Sequence, residues 1–283
     1  MTLKPSDRIT LPCGILQDGV IYREVVIDRT IAFDTELLID KKVRNNGARG
    51  LTLVLQRIIQ EIPGLVELKK DSLSLIDANI VRRMLAADRD FVYMSAKMLT
   101  VTDSKFEYPV ACPSCDEVVD EEVDMTALDV YDFSGPGELN DGSSLPHFRM
   151  PLSLELGLPG ADGKRHTDFY WVLPDGRASE KAASIPKAKF LTFMASACLI
   201  GLGGERFSVK DLRRMSEDEL ADIHLFARDN TPGVDLRREM ECPECEHAWS
   251  ADVDLAAFFS SARQKTRTAS RSGKSGFRTK RKG

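Results

Sequence analysis

The sequence predicts an α+β fold built from one unit written twice, and three observations lead there. Two C-P-x-C motifs, Cys112 to Cys115 in "ACPSCDEVVDEEVDM" and Cys242 to Cys245 in "ECPECEHAWSADVDLAAF", stand 130 positions apart. At that offset the flanking residues align without a gap: Val123 with Val253, Asp124 with Asp254, Met125 with Leu255 and Leu128 with Phe258. Upstream of each motif the same patterns recur in the same order, two β-leaning runs and then two helical ones. Self-similarity on this scale is the mark of a duplicated structural unit.

Each unit opens on an expected hairpin. "RITLPCGILQDGVIYREVVIDR" has two strand-like runs around Asp18-Gly19, and "FRMPLSLELGLPGADGKRHTDFYWVLP" has two around Asp162-Gly163. Asp-Gly tolerates the positive φ angles of a tight hairpin turn. Helices follow, "GLTLVLQRIIQEI" over residues 50–62 and "KAKFLTFMASACLIGL" over residues 187–202. Both are apolar on more than one face, so both are expected inside the fold.

A further helix precedes each knuckle. Asp77 is placed to cap "ANIVRRMLAADRDFVYMSAKML", read as one helix whose Ile80, Met84, Ala87, Phe91, Met94 and Met98 recur at three- and four-residue steps. In the other copy Ser216 and Glu219 form a capping box ahead of "LADIHLFARDN". The organisation is therefore a first unit over 1–133, a linker over 134–146 within "DFSGPGELNDGSSLP", a second unit over 147–260 and a tail over 261–283.

The chain has 283 residues, 42% of them hydrophobic, enough to bury a core. Its net charge is -5, yet residues 263–283 hold nine Lys/Arg and no Asp/Glu, which leaves -14 for everything before them. No apolar run is long enough for a membrane span, and "MTLKPSDRITLP" lacks the layout of a signal peptide, so a cytoplasmic protein is expected.

In a reducing compartment, C-x-x-C pairs favour metal over disulfide. A structural Zn(2+) is closed by four Cys or His ligands, and the two knuckles supply four thiolates, Cys112, Cys115, Cys242 and Cys245. Pairing of the two copies brings knuckle to knuckle and builds one zinc-ribbon-like site shared between them. The rival is a pair of redox dithiols, but that chemistry wants the first thiol at a helix N-terminus, and neither knuckle leads directly into a helical pattern. Carboxylates after each pair also disfavour a free thiolate. A closed four-thiolate site argues against metal-assisted hydrolysis, which needs an open coordination position.

The remaining polar residues assemble no catalytic set from spacing alone. His247 competes as a ligand, but its counterpart in the first copy is Glu117, and a solvated turn is the better reading. His147, His166 and His224 are scattered, and Cys13 and Cys198 read as small buried hydrophobes. "GLGGER", residues 201–206, lacks the Lys-Ser/Thr of a phosphate loop and reads as a helix C-cap and turn. The tail, rich in Ser, Thr and Gly with one aromatic, is expected to be disordered. It offers weak, nonspecific nucleic-acid contact through residues 263–283, or a docking arm for an acidic partner or the chain's own acidic body.

The order "ITLPCGILQDGVIYREVVI", "LTLVLQRII", "SLIDANIVRRML" and "YPVACPSC" with "VDMTAL" behind it resembles the T-even-type baseplate hub proteins of contractile-tailed phages. The likeness covers about residues 8–130. It implies a non-enzymatic hub or hub-assembly protein whose partners are phage tail and baseplate proteins, working in the host cytoplasm during assembly and at the virion baseplate. The alternative from a different class is a zinc-ribbon nucleic-acid-binding protein that grips phosphates with its tail.

Overall fold

The computed structural model describes residues 3–30, 46–67, 74–133, 145–159 and 165–253. The expected linker at 134–146, all but its last two residues, the Asp162-Gly163 turn and the basic tail lie outside them. The architecture is mixed α/β. The chain forms two compact units, each discontinuous in sequence: Met1–Val101 with Asp129–Val234, and Thr102–Leu128 with Asp235–Gly283.

The first unit holds two three-stranded antiparallel sheets. In one, β1 (Arg8–Gln17) pairs with β2 (Val20–Ile27), and β2 with β3 (Ile59–Glu61). Gln17 faces Val20 across a two-residue turn in which Asp18 (φ 52°) and Gly19 (φ 78°) take the left-handed conformations that Asp-Gly tolerates. Helix α1 (Gly47–Ile58), capped by the Asn46 side chain, runs straight into β3. Two more helices follow, α2 (Ala78–Arg83) and α3 (Ala86–Met98).

The hairpins of the second unit, β4 (Lys105–Ala111) with β5 (Val118–Asp124) and β11 (Arg237–Glu241) with β12 (Ala248–Asp252), flank residues 129–234 of the first unit. Between them, back in the first unit, β6 (Val130–Tyr131) pairs with β10 (Gly233–Val234). The other sheet takes β7 (Arg149–Pro159), β8 (Arg165–Val172) and β9 (Leu199–Gly201) in that order. Its helices are α4 (Gly176–Ala182), α5 (Lys187–Cys198), which runs straight into β9, α6 (Val209–Leu212) and α7 (Glu217–Asn230).

Three local expectations change with tertiary context. The helices expected over 50–62 and 187–202 stop at Ile58 and Cys198, because the next three residues serve as the third strand of each sheet. The helix begun by Asp77, whose side chain does cap it at Asn79 N (2.8 Å), breaks at Met84 and Leu85. There the backbone turns to another segment: Gly176 N donates to Met84 O (3.0 Å) and Ala86 N to Pro174 O (2.8 Å). Third, α5 is not an interior helix: Phe190 and Leu191 stand 41% and 49% exposed, whereas α1 buries Val54, Leu55 and Ile58. "GLGGER" turns, as expected, but it closes strand β9 rather than a helix.

Each sheet carries the same irregularity. The β1–β2 register shifts between Thr10 and Ile15, and the β7–β8 register between Ser153 and Leu158. Gly14 (φ 97°) and Gly157 (φ 65°) sit at these shifts, where a Cβ would meet the side chains of β2 in one case and the His166 carbonyl in the other. Backbone amides at a bulge lose their ladder partners, and a buried amide without a partner costs about 1–3 kcal/mol.

A helix carboxylate supplies the acceptor both times. Asp88 on α3 takes Cys13 N (2.8 Å) and Gly14 N (3.0 Å), and Glu219 on α7 takes Leu156 N (2.9 Å) and Gly157 N (2.6 Å). Both side chains are buried. Glu219 therefore does not complete the expected capping box on the Ser216 backbone amide: Ser216 Oγ accepts from Glu219 N (3.2 Å) and donates to Glu219 Oε2 (3.4 Å), while Oε1 takes the β7 amides. A buried Arg89 guanidinium adds a second polar anchor, donating to Ala48 O (2.8 Å) and Thr52 Oγ1 (2.6 Å) on α1.

Burial pushes the Asp88 carboxyl up to about 7 against the pull of the Cys13 and Gly14 amides. A carboxyl raised on folding contributes stability below its unfolded pKa near 4, and that contribution is lost as the pH rises through 7. Thermal melts from pH 4 to 8 are expected to show this slope in the wild type and a flatter one in Asp88→Asn. Asp88→Ala, which strands both amides, is expected to cost about 3 kcal/mol in denaturant titrations.

Candidate metal centre

The second unit is built from the two knuckle hairpins. β4 and β5 pair in register from Lys105↔Asp124 to Ala111↔Val118, and β11 and β12 from Arg237↔Asp252 to Glu241↔Ala248. Alternation gives each hairpin one buried row, Phe106, Tyr108 and Val123 in the first and Met240 with Val253 at its end in the second.

Each six-residue tip has the same backbone course. Cys112 N donates to Glu117 O (2.7 Å) and Asp116 N to Cys112 O (3.0 Å), matched by Cys242 N to His247 O (3.0 Å) and Glu246 N to Cys242 O (2.9 Å). Asp116 (φ 61°) and Glu246 (φ 57°) take the left-handed conformation at equivalent places. Ser114 N points back at Cys112 Sγ (3.4 Å), an amide directed at sulfur. The tips thus fold so that both sulfurs of each pair face the same side.

All four sulfurs converge: the Sγ atoms of Cys112, Cys115, Cys242 and Cys245 lie within 4.8 Å of one another. Cys112 Sγ is 3.7 Å from Cys245 Sγ, and Cys115 Sγ is 3.6 Å from Cys242 Sγ. A tetrahedral ion with metal–sulfur bonds of about 2.3 Å places its sulfurs about 3.8 Å apart, whereas a disulfide needs about 2.05 Å. The spacing is that of ligands around one cation. Cys112 and Cys242 are buried and Cys115 and Cys245 exposed, so the group sits at the surface with one sulfur of each pair toward water.

The sulfurs influence one another strongly. The His247 amide and the neighbouring sulfurs hold the Cys245 thiol down to about 7. At Cys115 the Glu117 amide pulls downward, but the surrounding sulfurs and burial push the thiol up to about 12. Thiolates this close repel one another, so each proton removed makes the next harder to remove. A divalent cation removes that resistance and displaces the remaining protons.

The other residues singled out in the sequence stay apart from this group. His247 contributes its carbonyl to the knuckle, and its ring stacks on Trp249 at 6.2 Å. Cys13 and Cys198 are buried in the first unit, and burial pushes both thiols up, Cys198 to about 12. His224 lies half-buried on α7, where burial lowers its pKa. His147 packs edge-on against Phe148, and His166 faces Leu158 in the β7–β8 ladder. A cleft of about 450 Å³ in the first unit is walled by Tyr131, Phe133, Met150 and Phe226, and its Asp229 is paired with Arg228 at 3.0 Å.

The paired bulge carboxylates Asp88 and Glu219 are what the sequence reading missed. The available signal was a glycine inside each strand pattern, Gly14 and Gly157, which marks a bulge. The carboxylate that answers it lies more than sixty positions away on a helix.

The electrostatic setting of the cysteine group is acidic. Residues 102–128 and 235–253 contain fourteen Asp/Glu against three Lys/Arg. No family model, curated protein or solved structure matches the chain. Among the described residues no helix is long and apolar enough to cross a membrane.

One divalent ion per chain is expected in elemental analysis of the purified protein, and Cys112→Ser or Cys242→Ser is expected to lose it. Protons and the cation compete for the same sulfurs, so a chelator should strip the metal much faster at pH 5 than at pH 8. Colorimetric release assays across that range read the effect directly.

Proposed function

We propose that the protein is a non-enzymatic structural or assembly protein of the phage tail baseplate hub, whose two related halves are joined by one structural Zn(2+) on Cys112, Cys115, Cys242 and Cys245. The convergence of four sulfurs from segments 127 positions apart carries the structural part of this reading. Zinc is the ion that an all-sulfur set of four ligands suits best among common divalent metals. Four thiolates fill its coordination sphere, so the ion acts as a clamp and not as a Lewis acid.

Duplication is supported by four repeated features beyond the cysteines. These are a hairpin with a glycine bulge, a helix carboxylate on that bulge, a helix continuing into the third strand, and a knuckle with a left-handed residue after its second cysteine. The baseplate assignment rests on the resemblance over about residues 8–130. It places function in protein–protein surfaces, and the exposed apolar side chains of α5 and of neighbouring segments suit such a role.

The nucleic-acid alternative meets an electrostatic obstacle. A ribbon with fourteen carboxylates and three basic side chains repels phosphates, so the phosphate grip would fall to the tail alone. In lysates of infected cells, the affinity-tagged chain is expected to co-purify with tail-hub and baseplate proteins and to retain no DNA above about 0.3 M salt. Cys242→Ser is expected to abolish that co-purification. Salt-resistant, sequence-selective DNA binding with no tail proteins recovered would reject the proposal.

A further inference from the structure

The outward face of the β4–β5 hairpin carries an acidic strip. Lys105, Glu107, Pro109 and Ala111 of β4 alternate outward, facing Asp124, Glu122, Asp120 and Val118 of β5. Glu107 stands directly opposite Glu122, a like-charge cross-strand pair that disfavours the hairpin unless a cation lies over it. Lys105 bonds Glu122 at 2.9 Å, but this one ammonium stands against Glu107, Asp120 and Glu122 together. Asp116 and Glu117 extend the acidic strip into the knuckle, and Val118 on the same face is 55% exposed.

The same chain carries a complementary segment. The sequence runs thirty residues past Val253, and its last twenty-one, 263–283, have nine Lys/Arg and no Asp/Glu. The intervening nine residues span at most about 30 Å when extended, and the seven-residue β5 is about 23 Å long. The two hairpins belong to one unit and meet at their knuckles, where Cys112 Sγ is 3.7 Å from Cys245 Sγ, so the basic segment is tethered to the unit that carries this face. A tether this short corresponds to an effective concentration in the millimolar range, far above that of a second copy in dilute solution.

We propose that the outward face of β4–β5, through Glu107, Asp120 and Glu122, docks the Lys/Arg-rich segment 263–283 of its own chain. Docking neutralises the like-charge pair and withholds the basic side chains from phosphates and other acidic surfaces. Such an arm is released by raised salt or by a more acidic partner, because exposed pairs are screened beyond a Debye length of about 8 Å at 0.15 M. The inference depends on charge and register alone and stands whether or not the baseplate reading does.

Carbodiimide coupling of the intact protein at low salt, which joins touching amines and carboxylates, tests it. The expected links run from Lys265, Lys274, Lys280 or Lys282 to Glu107, Asp120 or Glu122 within the monomer band. Links confined to a dimer band, links only to carboxylates outside residues 105–124, or no links at all overturn it. Trypsin cleavage of the tail supplies an independent readout. Cutting is expected to be several-fold slower for wild type at low salt than for the full-length Glu107→Gln, Asp120→Asn, Glu122→Gln variant, with the difference gone at 0.5 M salt. Equal rates at low salt, with wild-type metal content in the variant, also overturn it.

Discussion

Holding four sulfur atoms within 4.8 Å of one another is the constraint around which the second unit is organised. Its two hairpins are short, and the segments that form them are separated by more than a hundred residues of chain. Closing a loop of that length costs about 4 kcal/mol in chain entropy beyond a fixed constant. Thiolates gathered at van der Waals distance add their mutual repulsion. A cation held by all four, with about 10 kcal/mol or more of apparent free energy, would outweigh both. Each hairpin alone buries only a handful of apolar side chains, which is marginal for an isolated two-stranded ribbon.

The first unit solves a different problem with the same economy of parts. Its two hairpins bulge at Gly14 and Gly157, and each bulge directs two amides away from the ladder. Asp88 and Glu219 accept them and, in doing so, fix the position of a helix against each sheet. A buried carboxylate is costly unless it is fully hydrogen-bonded, and a pair of convergent backbone amides is one of the few partners that does not add a second charge. That requirement ties the helices to the sheets more specifically than apolar packing, which tolerates sliding.

The two units interleave along the chain. Strands β6 and β10, which directly follow β5 and directly precede β11, pair with each other in the first unit. The chain therefore passes from the first unit into the second and back, then into the second again. Under the proposed duplication, each copy contributes one hairpin-and-helix body to the first unit and one knuckle to the second. A metal clamp in such an arrangement would restrain the ends of both copies at once.

The sequence by itself determined the local chemistry: the knuckle turns, the Asp18-Gly19 hairpin, the Asp77 cap and the choice of four cysteines as one group. These depend on residues a few positions apart, or on a pattern repeated at a fixed offset. Tertiary structure alone decided where helices end, because Ile59 and Leu199 become strand residues only when a neighbouring edge has unpaired backbone groups to satisfy. It also decided that Met84 and Leu85 break a helix, that α5 stays partly exposed, and that Asp88 and Glu219 serve distant bulges. Those outcomes turn on which orphaned amides and carbonyls meet in space, and hydrogen-bond partners more than sixty residues away leave no periodic trace in a sequence.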